Sequence, residues 1–215
     1  MADSKPAQRQ RLKRGERREQ IIEAATAHFA EHGFDASTRQ IAEAAGITQP
    51  LLYSHFPSKD ALIRAVYERV YLDRWKPAWD SVLADRSQPL RARLIAFYAD
   101  YCETIFDPVW ARLYLQAGLK SLEINRWYMA LVEERVIRRI VREIRAAHGL
   151  PDEACRAITE AEAELVWTFH GGLFYHGVRR EIFAVPRQVA VRTVIAGSVD
   201  MLLLGAASAM KDLDQ

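Results

Sequence analysis

The stretch Ser37–Lys59, STRQIAEAAGITQPLLYSHFPSK, leaves this chain little local freedom. Ser37 with Gln40 three positions on is a capping box, which satisfies two orphan amides at a helix start. Ile41, Ala42 and Ala45 form a short apolar face behind it, and Gly46 can end that helix in left-handed dihedrals. Thr48 caps a second helix with Pro50 in its first turn, where a missing N–H costs little. Leu52 and Phe56, four apart, are its buried face, which leaves Gln49, Leu51, Tyr53, Ser54 and His55 on the remaining surface. Helices this short do not stand alone in water. Two of them at a tight turn make a helix-turn-helix, a shape that fits the major groove of DNA.

Charge supports that implication. Residues 1–18 hold seven Lys/Arg (Lys5, Arg9, Arg11, Lys13, Arg14, Arg17, Arg18) against Asp3 and Glu16, a local +5. The whole chain carries +2, so the body is slightly acidic. A basic arm on an acidic body fits an anionic partner. Residues 1–15 lack apolar periodicity and are expected to be disordered without DNA.

The segment from Ile21 to Ala65 resembles the DNA-binding domain of the tetracycline-repressor (TetR) family, and Gln49-Pro50-x-Leu52-Tyr53-x-His55 resembles its recognition helix. The resemblance covers about the first third of the chain. It implies a disordered basic arm at 1–15, a helix-turn-helix DNA-binding domain at 16–60 and a helical effector-binding and dimerisation domain at 61–215. It also implies roles for single residues. Arg39 is the expected donor to a guanine edge, and Gln49 the partner of an adenine edge. Pro50 and Leu51 are left to thymine methyls, and Thr38, Tyr53, His55 and Lys59 to phosphates. Ser37, Thr48 and Ser54 complete the expected DNA-binding set. Leu51 and Ser54 stand where the family's namesake has threonine and tryptophan, so the operator is expected to differ.

Beyond Asp60 the pattern is helical throughout, and the fold class expected is all-α. One helix is expected from about 60 to 84, kinked at Pro77 or broken one turn before it, and others at 90–106, 109–119, 123–148, 152–182 and 187–211. Gly171, Gly172, Gly177, Gly197 and Gly205 punctuate the last two helices among leucines and valines. The resemblance assigns those helices to a homodimer interface. A monomer interior accommodates the same composition.

Aromatics crowd the body. Phe97, Tyr101, Trp110, Tyr114, Trp127, Phe169, His170 and Phe174 are candidates to line a small-molecule cavity, with His170 as a polar handle. Aromatics at helical spacing also build plain cores, and a regulator controlled by partners rather than by a small effector is the rival reading. A helical enzyme with a vestigial helix-turn-helix is a second rival, but no phosphate loop or nucleophile elbow is present, and no catalytic residue is expected. His28 and His32 sit four apart without a third ligand nearby, so no metal and no cofactor are expected. Glu133-Glu134 and Glu160/Glu162/Glu164 read as solvated helix faces.

Cys102 and Cys155 lack any paired spacing and are expected to be buried, reduced thiols. The polar N-terminus lacks a signal-peptide pattern. The apolar run Val194–Met210 contains Asp200 and falls short of the roughly 20 residues a span requires. A dimeric, cytoplasmic repressor of double-stranded operator DNA, released by a small apolar or aromatic effector and independent of membranes, is therefore the expectation.

Overall fold

The computed structural model describes residues 14–120, 123–186 and 188–212. The chain is all-α, with no strand among the described residues. It divides into two compact units, one ending at Arg69 and the other beginning at Val70.

The first unit holds α1 (Arg14–His32), α2 (Thr38–Ala44), α3 (Gln49–His55) and α4 (Lys59–Tyr67). Helix α1 packs against both α2 and α4, and α2 against α3. Their core is made by Ile21, Ile22, Ala25 and Phe29 of α1, Ile41 and Ala42 of α2, Leu52 of α3, and Leu62 and Val66 of α4, with Phe56 just after α3. Because α4 packs on α1, the unit reaches some nine residues past the expected boundary at 60. Helix α1 also starts earlier than expected, so Arg14 and Gly15 are helical.

The turns follow local chemistry. Both halves of the Ser37/Gln40 capping box form. After α2, Gly46 takes φ 65°, its N–H bonds Glu43, and the N–H of Ile47 reaches back to Ala42 at 2.9 Å. That closure meets the carbonyls a helix end leaves open, and a Cβ at residue 46 would be strained there. The Thr48 hydroxyl accepts from Leu51, and Ser58 caps α4 through Ala61.

The second unit holds α5 (Pro77–Ala84), α6 (Leu90–Ile105), α7 (Pro108–Leu119), α8 (Glu123–Val132), α9 (Arg138–Ala147), α10 (Glu160–Glu181) and α11 (Val191–Asp212). Helix α4 runs on into a π-helical turn at Glu68–Leu72, and the chain then breaks one turn before Pro77, which starts α5. A second π turn, Glu133–Ile137, joins α8 to α9 within the expected 123–148 helix. Helix α6 packs on α5 and α11, and α10 packs on α7, α9 and α11. Trp79, Phe97, Tyr98, Tyr101, Trp110 and Tyr128 fill the centre.

Four expectations fail for physical reasons. Residues 152–159 are not helical, because buried Arg145 binds the carbonyls of Pro151, Arg156 and Ala157, which a helix would consume. Helix α10 begins only at the Thr159/Glu162 capping box. Glu162 is accordingly not solvated: it is fully buried and holds Arg145 through two hydrogen bonds, at 2.9 and 2.5 Å. Cys155 is exposed, whereas Cys102 is buried and burial pushes its thiol up to about 12. Finally, the segment Val191–Lys211 is long and apolar enough to cross a membrane by length and composition, with a mean hydropathy of 1.6. The core helices of water-soluble proteins pass the same test. Here Ile195, Val199, Ala206 and Met210 are buried, and Asp200 forms a two-pronged ion pair with Arg91 of α6.

Candidate nucleic-acid interface and ligand cavity

Helix α3 turns Leu52 inward and leaves Pro50, Leu51, Tyr53 and Ser54 exposed, with Gln49 and His55 half-buried. Tyr53 is 44% exposed. It is nonetheless held in place. The Thr38 hydroxyl accepts from Gln49 Nε2 at 2.8 Å and lies 3.1 Å from the Tyr53 hydroxyl. One threonine on α2 thus fixes two side chains of α3, while Gln49 keeps its carbonyl oxygen and a second N–H for a base edge.

Thr38, expected on a phosphate, is buried, and its hydroxyl is engaged by Gln49 and Tyr53. Ser37 and Thr48 spend their hydroxyls on caps, and the Ser54 hydroxyl donates to the Leu51 carbonyl at 2.7 Å. Lys59 Nζ donates to the Phe34 carbonyl at 2.5 Å, tying α4 to the loop after α1, so two of its three protons stay free. Arg39 pairs with Glu43 at 3.1 Å on an exposed face, an interaction worth little and easily exchanged.

His55 has its pKa lowered by partial burial and then by the nearby charges of Arg14, Arg17 and Arg18. The cause of the shift matters more than its size: it places three guanidinium groups of α1 near the end of α3. Sequence reading counted these arginines in the arm without assigning them to the site. Their i, i+3, i+4 spacing on one helix face was the available signal.

In the second unit a cavity of about 160 Å³ lies among Tyr101, Phe106, Trp110, Tyr114, Tyr128, Met129, Val132, Trp167, His170, Gly171 and Phe174. Five of the eight expected residues meet there: Tyr101, Trp110, Tyr114, His170 and Phe174. Three do not. Phe97 is wholly buried against Trp79, Tyr98 and Tyr101. Phe169 packs edge-on to Tyr98. Trp127 is half-buried, and its neighbour Tyr128, about 100° around the helix, takes the lining position. Trp110 and Tyr114 stack at 5.2 Å and 6°, with Phe174 at an angle to both. His170 Nδ1 lies 3.2 Å from the Tyr98 hydroxyl, and burial lowers its pKa to about 4. Among the described residues no cluster of three metal-binding side chains occurs.

Residues 21–66 match the family described as bacterial regulatory proteins, tetR family. The transcriptional activator FasR of Mycolicibacterium smegmatis is 39% identical over 97 residues, 43% of this chain and 43% of that protein. The transcriptional repressor KstR2 of the same organism is 34% identical over 86 residues, 40% of this chain and 42% of that one. The chain thus spans less than half the length of these two relatives. A solved structure, a TetR-like transcriptional regulator from Rhodococcus sp. RHA1, superposes with a TM-score of 0.61 at 20% identity, covering 92% of this chain and 99% of the other. At that identity the likeness speaks for the fold. The capped helix pair and its glycine turn thus lie within the domain, residues 21–66, that matches the tetR family of bacterial regulatory proteins.

Proposed function

We propose that this chain is a homodimeric transcription regulator in the bacterial cytoplasm, a repressor whose grip on operator DNA loosens when a small ligand fills the aromatic cavity. The observation that carries the reading is the α3 surface. Gln49 and Tyr53 are held by one buried threonine and presented beside Pro50 and Leu51, with Arg14, Arg17 and Arg18 near the helix end. Such a surface divides the labour of duplex binding, with guanidinium groups on phosphates and a preorganised amide on a base edge. Gln49 is assigned to adenine, Tyr53 and His55 to phosphates, and Arg39, once released from Glu43, to guanine.

One such helix covers too little surface for tight specific binding, so two copies reading half-sites about 34 Å apart, or a multiple of it, are required. The last two helices supply a face for the second copy. On α11, Thr193, Gly197, Met201, Leu204 and Ser208 form an exposed stripe at helical spacing, with Met201 74% and Leu204 86% exposed. On α10, Ala161, Glu164, Thr168, Gly172 and Tyr175 form another. Small residues between large apolar ones allow close helix approach, and the same stripe accounts for the high hydropathy of α11 without a bilayer. The name KstR2 carries supports repression, while FasR shows that the matched domain also serves activation.

Release is a population shift: a ligand that favours one state of the second unit lowers the fraction competent for DNA, by no more than its differential affinity allows. Selection of bound fragments from genomic DNA with the purified protein tests the core of this reading. An enriched inverted repeat with half-sites a whole number of turns apart is expected. Absence of enrichment over random duplex, or a single unpaired half-site, overturns it.

A further inference from the structure

The polar groups around the aromatic cavity are mostly engaged with one another. The Tyr101 and Tyr128 hydroxyls share a hydrogen bond of 2.7 Å. Tyr114 donates to Met129 Sδ at 3.1 Å, and the Trp167 indole N–H donates to Glu133 at 2.5 Å. His170 faces the Tyr98 hydroxyl. Trp110 is different. It is 1% exposed and lines the cavity, and its indole N–H is buried without an acceptor. A buried donor with its bond unmade is a cost the fold carries until an acceptor arrives.

Two further properties narrow what that acceptor belongs to. The lining contains no Asp, Glu, Lys or Arg, and burial keeps His170 neutral at ordinary pH, so an anionic ligand would enter without a counter-charge. The volume, about 160 Å³, is close to that of an apolar cavity of about 150 Å³ known to take a single benzene. The parallel Trp110 and Tyr114 rings, with Phe174 inclined to both, suit a flat occupant.

Resting on the reading of this unit as a ligand sensor, we propose that the cavity binds an uncharged, single-ring aromatic compound bearing a carbonyl-type oxygen, and that the Trp110 indole N–H donates to that oxygen. The ring occupies the space beside Trp110, Tyr114 and Phe174. The oxygen distinguishes it from a hydrocarbon of the same shape, and the lack of charge from an aromatic acid.

Four probes of known chemistry test this on the full chain: acetophenone, ethylbenzene, benzoate and octanoate, titrated calorimetrically at pH 7.5. Acetophenone is expected to bind about tenfold more tightly than ethylbenzene, the effect of one recovered hydrogen bond in a dry site, with benzoate and octanoate at least tenfold weaker than acetophenone. In Trp110→Phe the preference for acetophenone over ethylbenzene is expected to collapse to about onefold while ethylbenzene still binds. The wild-type ratio stands on its own should that variant fail to fold. Equal binding of acetophenone and ethylbenzene, or an unchanged ratio in a folded Trp110→Phe, overturns the proposal. Preferential binding of benzoate or octanoate overturns the ligand class while leaving the sensor reading intact. No binding of any probe, with operator affinity unmoved at millimolar concentrations of each, overturns both.

Discussion

Acid should weaken the second unit through His170, and the size of the effect follows from its burial. The ring is packed among Tyr98, Tyr101 and Trp167, and burial lowers its pKa from 6.5 to about 4. Below about pH 6.5 the unfolded chain takes up a proton at this histidine that the folded chain refuses. The unfolded state thus binds more protons, and stability falls as pH falls. Integrating between the two values, the folded unit loses about 2 kcal/mol by pH 5 and about 3 kcal/mol by pH 4, relative to pH 7.5, from this one group. Other groups titrate over the same range, so the measurement is a difference: urea unfolding of wild type and His170→Gln at several pH values. Glutamine keeps a polar partner near Tyr98 and removes the titration. All five tryptophans lie beyond residue 70, so their fluorescence reports on the unit that contains His170. The wild type is expected to lose stability relative to His170→Gln by about 2 kcal/mol between pH 7.5 and pH 5. A difference that stays flat over that range would refute the claim that burial holds this ring neutral.

The dimer face, the DNA surface and the loop before α10 each allow a similar check. Leu204→Glu, on an 86% exposed position, should leave folding intact but lower the mass seen by light scattering to that of one chain at micromolar concentration. Each of two symmetric copies would lose a buried leucine, about 3–6 kcal/mol together. Thr38→Val removes the hydroxyl shared by Gln49 and Tyr53. Operator affinity should fall about tenfold by fluorescence anisotropy, with affinity for random duplex nearly unchanged. The double change Arg14→Gln and Arg17→Gln should act in the opposite sense, weakening all sequences alike and lowering the slope of log affinity against log salt by about 2. In Arg145→Met, five hydrogen bonds vanish and fully buried Glu162 is left with Arg156 and the Thr159 cap. A loss of about 3–5 kcal/mol in denaturant melts is expected, and a loss below 1 would mean that the network contributes little.

What could be read from the chain in advance divides along the range of the interactions involved. The helix pair was legible because its determinants are neighbours in sequence: Ser37 meets Gln40, Gly46 lets Ile47 reach Ala42, and Thr48 meets Leu51. The shared threonine was not legible, because its partners lie 11 and 15 residues away and a threonine one position past an N-cap serine reads as exposed. Glu162 was misread for the same reason. Three glutamates at alternating positions look solvated until Arg145, 17 residues earlier, spends all five of its N–H groups on a carboxylate and three carbonyls.

The cavity lies between these cases. Composition marks the segments that supply aromatics, but helix phase decides which ring of an adjacent pair such as Trp127-Tyr128 faces inward. The same logic separates the two indoles that line the cavity. Both are donors of one chemistry on helices of one bundle, yet Glu133, drawn from the π turn between α8 and α9, engages Trp167 and leaves Trp110 open. A regular helix through 133–137 would rotate every residue after it relative to those before, and with them the glutamate's aim. The irregular turn thus carries the carboxylate that engages one of the two indoles. Any substitution that restores regular helix there should change ligand selectivity before it changes stability, because it redistributes which N–H the cavity has to offer.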